Sequence, residues 1–236
     1  MPAPLPPFPR SGRVYAESRL VGPGDTTTAG RARLDAIVDL LQAVAYADVV
    51  DAGLDGALLW VVRRTTLRIE RFPALGERLE LRTACSGLGP RWAERRTRLR
   101  GERGARVEAA ALWVAIDPAT LQLARVGDFA RVYGEAAGDR RIRARLTHPA
   151  PPADAVARPW AWRCADLDVG GHVNNAAYWQ ALEEELAELD AAAALDVEIE
   201  HHSAAELEPT TLLAAGERRW LVADGGVLRA SFLLAR

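Results

Sequence analysis

The chain contains no lysine. All 30 of its basic residues are arginine, which excludes Schiff-base chemistry and a phosphate loop built on a lysine amine. Every cationic site must then be a planar, permanently charged guanidinium. Cysteine is nearly as scarce. Cys85 and Cys164 are the only two in 236 residues, too few for a disulfide framework or a cysteine zinc site, and isolated thiols fit a reducing, cytoplasmic compartment. No apolar run reaches the ~18–20 residues of a membrane span. The first residues are Pro-rich, with Arg10 the first charge, and lack the basic-then-apolar plan of a signal peptide. No Gly-x-Ser-x-Gly elbow occurs, and no glycine-rich phosphate loop follows a strand. A net charge of −2 argues against a bulk nucleic-acid binder. What is present is 49% hydrophobic and 26% charged residues, enough to bury a core. At roughly 100–200 residues per domain, the length allows one large domain or two small ones.

Residues 1–12 read as loose, and 13–21 as a strand. Leu34, Ile37, Val38, Leu41, Val44, Ala45 and Val49 recur at three- and four-residue spacing, which predicts an amphipathic helix over 31–51. After Gly53 the period falls to two, predicting strands at 58–70, 77–86, 91–100 and 105–116, with Gly101 to Gly104 as a hairpin turn. A basic, then Pro-rich stretch at 139–159 reads as a boundary. The plan then repeats. A strand at 158–167 and a Gly170-Gly171 turn precede a helix from about Asn174 to Ala192, with Tyr178, Leu182, Leu186 and Leu189 on one face. Strands follow at 197–204, 210–217, 218–224 and 226–235. The expectation is an α+β duplication: two long helices, each wrapped by an antiparallel β-sheet, with units at 1–146 and 158–236 joined by a linker at 147–157. Asp25 stands before the first helix as Asp168 stands before the second.

The densest polar cluster on an apolar background is Asp166-Leu167-Asp168-Val169-Gly170-Gly171-His172-Val173-Asn174-Asn175, between a strand and a helix. Glycines let the backbone turn tightly and approach a ligand. The helix start presents unpaired N–H groups that could hold an oxyanion. Asp168 lies four residues before His172 and could orient its imidazole, and His172 could activate water as a general base. The competing reading is a helix cap, since Asp, Asn and Gly gather before helices for that reason alone. His201-His202 offers only one side chain to any shared pocket, because adjacent strand residues face opposite ways. No metal site is expected, because no ligand spacing completes one. Cys85 and Cys164 read as small strand residues.

The string Asp168-Val169-Gly170-Gly171-His172-Val173-Asn174-Asn175, preceded by Asp166-Leu167 and followed by a Glu-rich helix, resembles the D-L-D-x-N-x-H-x-N-N segment of acyl-acyl carrier protein thioesterases. The resemblance in element order runs from about Val14 to Ala235, and the close motif match is confined to 166–179. It implies a tandem hotdog fold with the catalytic motif in the second half. It also implies hydrolysis of fatty acyl thioesters on acyl carrier protein in fatty acid biosynthesis, with no cofactor, by a monomer or homodimer. It makes Asp168 and His172 catalytic. Asn174, Asn175 and the backbone at Gly170 would bind or position substrate. Two positions depart from the pattern. The family's Asn between Asp and His falls at Gly170, and its acidic or thiol residue on the following strand falls near Ala204. Glu206, two residues along the expected strand, is the substitute acid favoured by alternation; Glu200 is a second, and a site with no acid is a third. The arginines at 91–106 and 140–145 would steer an acidic carrier protein. The alternatives are an acyl-CoA thioesterase, a non-catalytic acyl-binding module, or an enzyme hydrating or dehydrating the acyl thioester.

Overall fold

A computed structural model describes residues 1–186 and 193–235. The first half supplies β1 (Tyr15–Leu20), α1 (Leu34–Asp51), β2 (Leu59–Arg71), β3 (Arg78–Leu88), β4 (Trp92–Gly101), β5 (Arg106–Ile116) and α2 (Gly127–Ala137). The second supplies β6 (Val156–Trp160), α3 (Gln180–Leu186), β7 (Leu195–His201), β8 (Thr210–Ala215), β9 (Arg218–Ala223) and β10 (Val227–Ala235). All ten strands form one antiparallel sheet in the order β1-β3-β4-β5-β2-β7-β10-β9-β8-β6. That order is palindromic about β2 and β7, so the duplication expected from element order is carried by the topology. At the joint, Arg64 through Ile69 pair with Glu200 through Leu195. The pairing covers the edge each half would otherwise leave open.

The helices are not wrapped separately, as the sequence suggested. Once β2 pairs with β7 the inner faces of the two halves are continuous, and one core forms. Leu34, Ile37 and Leu41 of α1, Leu182 and Leu186 of α3, and Leu67, Val197 and Ile199 at the joint belong to a single buried cluster. The helices also touch each other through polar side chains described below. α3 follows a 3-10 turn at Ala177–Trp179. The rest of the helix expected to reach Ala192, with Leu189, lies outside the described residues.

Alternation sets the two faces of the sheet. On β4, Arg95 points in to Asp48 of α1, and Arg96 points out to Glu108 of β5. The outer face is covered by two segments the sequence left as loose chain or boundary. Near the N-terminus, Ala3 N–H donates to Glu198, Arg96 donates to Pro6 O, and the Arg98 guanidinium stacks on Phe8. Farther along, Trp92 holds Ile142 O, Thr147 and His148 N–H donate to Glu200, and Trp220 holds Pro149 O. The crossing segment therefore runs over the joint from β4 to β9. α2 lies in 117–138, where the pattern predicts nothing, and packs Phe129, Tyr133 and Ala137 against Cys85 and Ala93. Two predicted strands are shorter than expected. β7 ends at His201, because His202 and Ser203 N–H both turn to Arg229 O beside a bulge in β10. The strand expected over 158–167 ends at Trp160, and Cys164–Asp166 form a 3-10 turn, so Cys164 is no strand residue.

Candidate active site

Residues 166–174 form a tight loop between that 3-10 turn and α3. Asp168 N–H donates to His172 O at 2.9 Å, Gly171 N–H to Asp168 O at 3.0 Å, and Asn174 N–H to Asp166 O at 2.7 Å. Asp168 Oδ1 accepts Gly170 N–H at 2.8 Å. Gly171 has φ +76°, a left-handed conformation that favours glycine. The loop brings both Asp168 and His172 close to Gly170: a Cβ there would lie 3.1 Å from Asp168 Oδ1 and 3.6 Å from His172 Nδ1. Both side chains are exposed. Asn174 serves the backbone and the other half. Its Oδ1 accepts Ala176 N–H at 2.8 Å and Gln42 Nε2–H at 2.9 Å, and its carbonyl takes Ala177 N–H. Those two amides are therefore not free to hold an oxyanion. Asn175 points elsewhere, into a cavity.

The first half carries the same loop with different residues. Thr27 N–H donates to Arg31 O, Gly30 N–H to Thr27 O, and Arg33 N–H to Asp25 O. Gly30 has φ +79°. The carboxylates of Asp25 and Asp166 both hold a backbone N–H three residues before them, at 2.7 Å. Asp25 thus corresponds to Asp166, not to Asp168 as the sequence comparison had it. Thr27 stands at the Asp168 position and Arg31 at the His172 position. Arg31 is buried, reaches Glu183 of α3 at 2.5 Å and stacks on Phe72 at 4.7 Å. Glu183 also accepts Leu34 N–H at 2.9 Å, so it caps a helix whose own cap position holds Arg33 without a side-chain cap bond. Gln42 and Glu183 play mirrored parts, each reaching from its own helix to the start of the other. Nothing in the sequence marks them, because a crossing between helices leaves no local pattern.

The cavity has a volume of ≈ 560 Å³ and lies in the first half, between α1, α2 and strands β2 to β5. Trp60, Trp113 and Phe129 line it, with Cys85, Arg95 and, from the second-half motif, Asn175. Asp168, His172 and Glu206 are not among its lining residues. Burial pushes the Cys85 thiol up to about 11, so it is protonated and no nucleophile.

Glu206 is exposed, in the loop after β7, so strand alternation does not link it to Ala204. Another contact brings it close to the motif: Val173 N–H donates to Ala205 O at 2.8 Å, and the chain neighbours of those two residues are His172 and Glu206. Glu200 is fully buried on the outer face and is taken up by Thr147 and His148. His201 does face inward, edge-on to Tyr178, and burial, with Arg63 and His202 adding, pushes it down to about 3. His202 faces the other way, to Ser231. Among the described residues, His148, Glu198 and Glu200 bring potential ligand atoms within 4.8 Å of one another, a grouping the sequence did not suggest. Glu198 and Glu200 are engaged by hydrogen bonds from Ala3, Thr66, Thr147 and the His148 backbone, which makes the group a structural clamp. Most of the first arginine cluster is also structural: Arg95 pairs with Asp48, while Arg96, Arg98 and Arg100 share Glu108. Arg140 pairs with Glu94, and Arg141, Arg143 and Arg145 are exposed on the crossing segment.

Residues 12–132 match the family model of the acyl-ACP thioesterase N-terminal domain, and 150–210 match that of the C-terminal domain. The chain belongs to the acyl-ACP thioesterase family. It is a thioester hydrolase. It is 29% identical over 184 residues to the uncharacterised protein Rv2001 of Mycobacterium tuberculosis, covering 77% of this chain and 73% of that one. In fold it is similar to an acyl-ACP thioesterase from Bacteroides thetaiotaomicron, with a TM-score of 0.76, 14% identity and coverage of 94% and 98%. It is also similar to the 12:0-ACP thioesterase from Umbellularia californica, with a TM-score of 0.73, 19% identity and coverage of 94% of each chain. The hotdog fold and the acyl thioester chemistry implied by the 166–179 motif are thus those of the family. No helix among the described residues is long and apolar enough to cross a membrane.

Proposed function

We propose that this hydrolase acts on acyl groups carried by acyl carrier protein and releases free acid in fatty acid biosynthesis, with the catalytic motif in a C-terminal unit, 158–236, joined by 147–157 to an N-terminal unit, 1–146, that holds the acyl chain. The observation that carries it is the Asp168–His172 loop leading directly into Asn175, which lines the ≈ 560 Å³ cavity. His172 takes a proton from water as the oxygen attacks the thioester carbonyl carbon. The Asn175 carboxamide donates to the carbonyl oxygen as negative charge develops there. The C–S bond then breaks, and the proton passes to the departing thiolate. Asp168, tied to Gly170 N–H, orients the imidazole. Glu206 follows Ala205, whose carbonyl takes Val173 N–H, and supplies the carboxylate that Ala204 lacks. Arg141, Arg143 and Arg145 give an acidic carrier protein an exposed basic row.

Steady-state hydrolysis of one acyl group on acyl carrier protein and on CoA tests both the mechanism and the carrier. His172→Ala should lose about 10²–10⁴-fold in kcat, and Glu206→Gln about 10²-fold, with unchanged circular dichroism. An undiminished rate in His172→Ala would remove the proposed base. A preference for CoA would overturn the carrier.

A further inference from the structure

The loop that follows β7 is fastened at many points, and most of them lead to one residue. Arg229 is the extra residue of the bulge in β10: Leu228 pairs with Val222 and Ala230 with Leu221, so nothing on β9 stands opposite Arg229. A bulge takes one residue out of the ladder and re-aims it. The Arg229 carbonyl takes His202 N–H at 2.9 Å and Ser203 N–H at 3.4 Å. Its guanidinium donates through Nη1 to Ser203 Oγ at 3.1 Å and through Nη2 to the Glu208 carboxylate at 2.7 Å. Ser203 Oγ in turn donates to Leu228 O at 3.0 Å. One guanidinium thus grips the loop on both sides of Glu206.

The span between those grips is the part that meets the motif. Glu208 N–H donates to Glu206 O at 2.9 Å, and the Glu208 carboxylate accepts Glu206 N–H at 3.4 Å. Ala205 N–H donates to the Tyr178 hydroxyl oxygen at 2.9 Å, and Ala205 O accepts Val173 N–H at 2.8 Å, next to His172. The Arg229 guanidinium holds the Glu208 carboxyl below the usual carboxylate range, so both groups are charged at neutral pH. Their side chains are 17% and 25% exposed, and a pair this close to water contributes little to overall stability. Arg229 is not among the lining residues of the ≈ 560 Å³ cavity. What the clamp does control is the place of Ala205 and Glu206.

We propose that Arg229 is a positioning residue for the hydrolysis: through Ser203 and Glu208 it sets where the 202–208 loop lies against the Asp168–His172 loop. The inference rests on the catalytic role proposed above for that motif, and deepens it by naming the distant side chain that holds its neighbour in place. A small misplacement of a catalytic loop costs far more in rate than in binding, because the reacting groups lose their alignment while the acyl chain keeps its pocket. Arg229 lies more than fifty residues from the motif in sequence, which is why no contiguous string marks it.

The test measures kcat and KM on decanoyl acyl carrier protein and on decanoyl-CoA, well below the unfolding transition, for the wild type, Arg229→Gln, Glu208→Gln and the double variant. Arg229→Gln should lose about ten- to a hundredfold in kcat, with KM within about twofold of wild type. Glu208→Gln should lose kcat in the same way. The double variant should be no slower than the slower single one, because both substitutions open one clamp. A kcat within twofold of wild type in Arg229→Gln overturns the proposal, even if its melting temperature falls, since that is the mark of a structural pair alone. Losses that multiply in the double variant overturn it as well. So does a loss confined to acyl carrier protein, which would make Arg229 a docking residue. His172→Ala, assayed alongside, separates the two readings. Full activity in His172→Ala defeats the catalytic role of the motif, and this proposal with it. An inactive His172→Ala beside an unaltered Arg229→Gln defeats this proposal alone. Should Arg229→Gln fail to fold, Glu208→Gln decides by the same kcat criterion.

Discussion

Arg31 and Glu183 show how one side chain gives a repeated loop a structural part. Arg31 occupies the backbone position that His172 holds in the second half, but its guanidinium turns inward and is 1% exposed. Glu183 meets it and also holds Leu34 N–H at the start of α1. A buried pair is expensive to break from one side, because the remaining guanidinium, still bonded to Ala32 O and Leu186 O, loses the carboxylate that offsets part of its burial cost. Glu183→Ala should cost about 3–5 kcal/mol in denaturant unfolding. Replacing both members, Arg31→Met with Glu183→Leu, should recover part of that loss, since neither member of the pair is then left buried and charged. A single substitution costing less than about 1 kcal/mol, the scale of an exposed pair, would contradict this account. The net charge and the arginine count were legible from composition. The pairing was not, because it joins residues far apart in the chain across two helices.

At the scale of the element, the 166–174 loop rests on two glycines with different duties. Gly171 has φ +76°, where a side chain is strained, whereas Gly170 does not have a positive φ and has room for a Cβ with a small shift of Asp168. Gly171→Ala should therefore lose about 1 kcal/mol or more in thermal or denaturant unfolding, and Gly170→Ala should stay near wild type. Equal effects would mean that the loop does not hold the conformation described. The Asp, Gly, His and Asn of this loop were readable because a tight turn and a helix start impose their residue types locally. The alternation argument for Glu206 failed because β7 stops at His201, and that stop is set by a bulge in β10, a neighbour no local pattern reveals. The Val173–Ala205 hydrogen bond, rather than alternation, ties the backbone before Glu206 to the backbone after His172.

For the whole molecule, the β2–β7 joint and the shared core govern stability. Residues from both halves belong to one buried cluster, and the crossing segment and the first residues of the chain lie over the joint on the outer face. The halves should therefore unfold together. Calorimetry is expected to show one transition with a calorimetric-to-van't Hoff ratio near one. Leu182→Ala, in the core face of α3, should lower that single transition by about 2–5 kcal/mol rather than split it. Two resolved transitions would show that the halves are independent units.

The sequence by itself determined the strand, helix and strand plan of each half, the position of the Asp168–His172 motif and the family. Each of these is written in short-range periodicity or in a contiguous string. Tertiary structure alone decided that the two helices share one core, that Asp25 matches Asp166, that Arg31 closes the first loop, and that the cavity lies in one half while the motif lies in the other. Those outcomes depend on which distant faces meet when β2 pairs with β7. Burial and hydrogen bonding across that joint, rather than any local preference, select them.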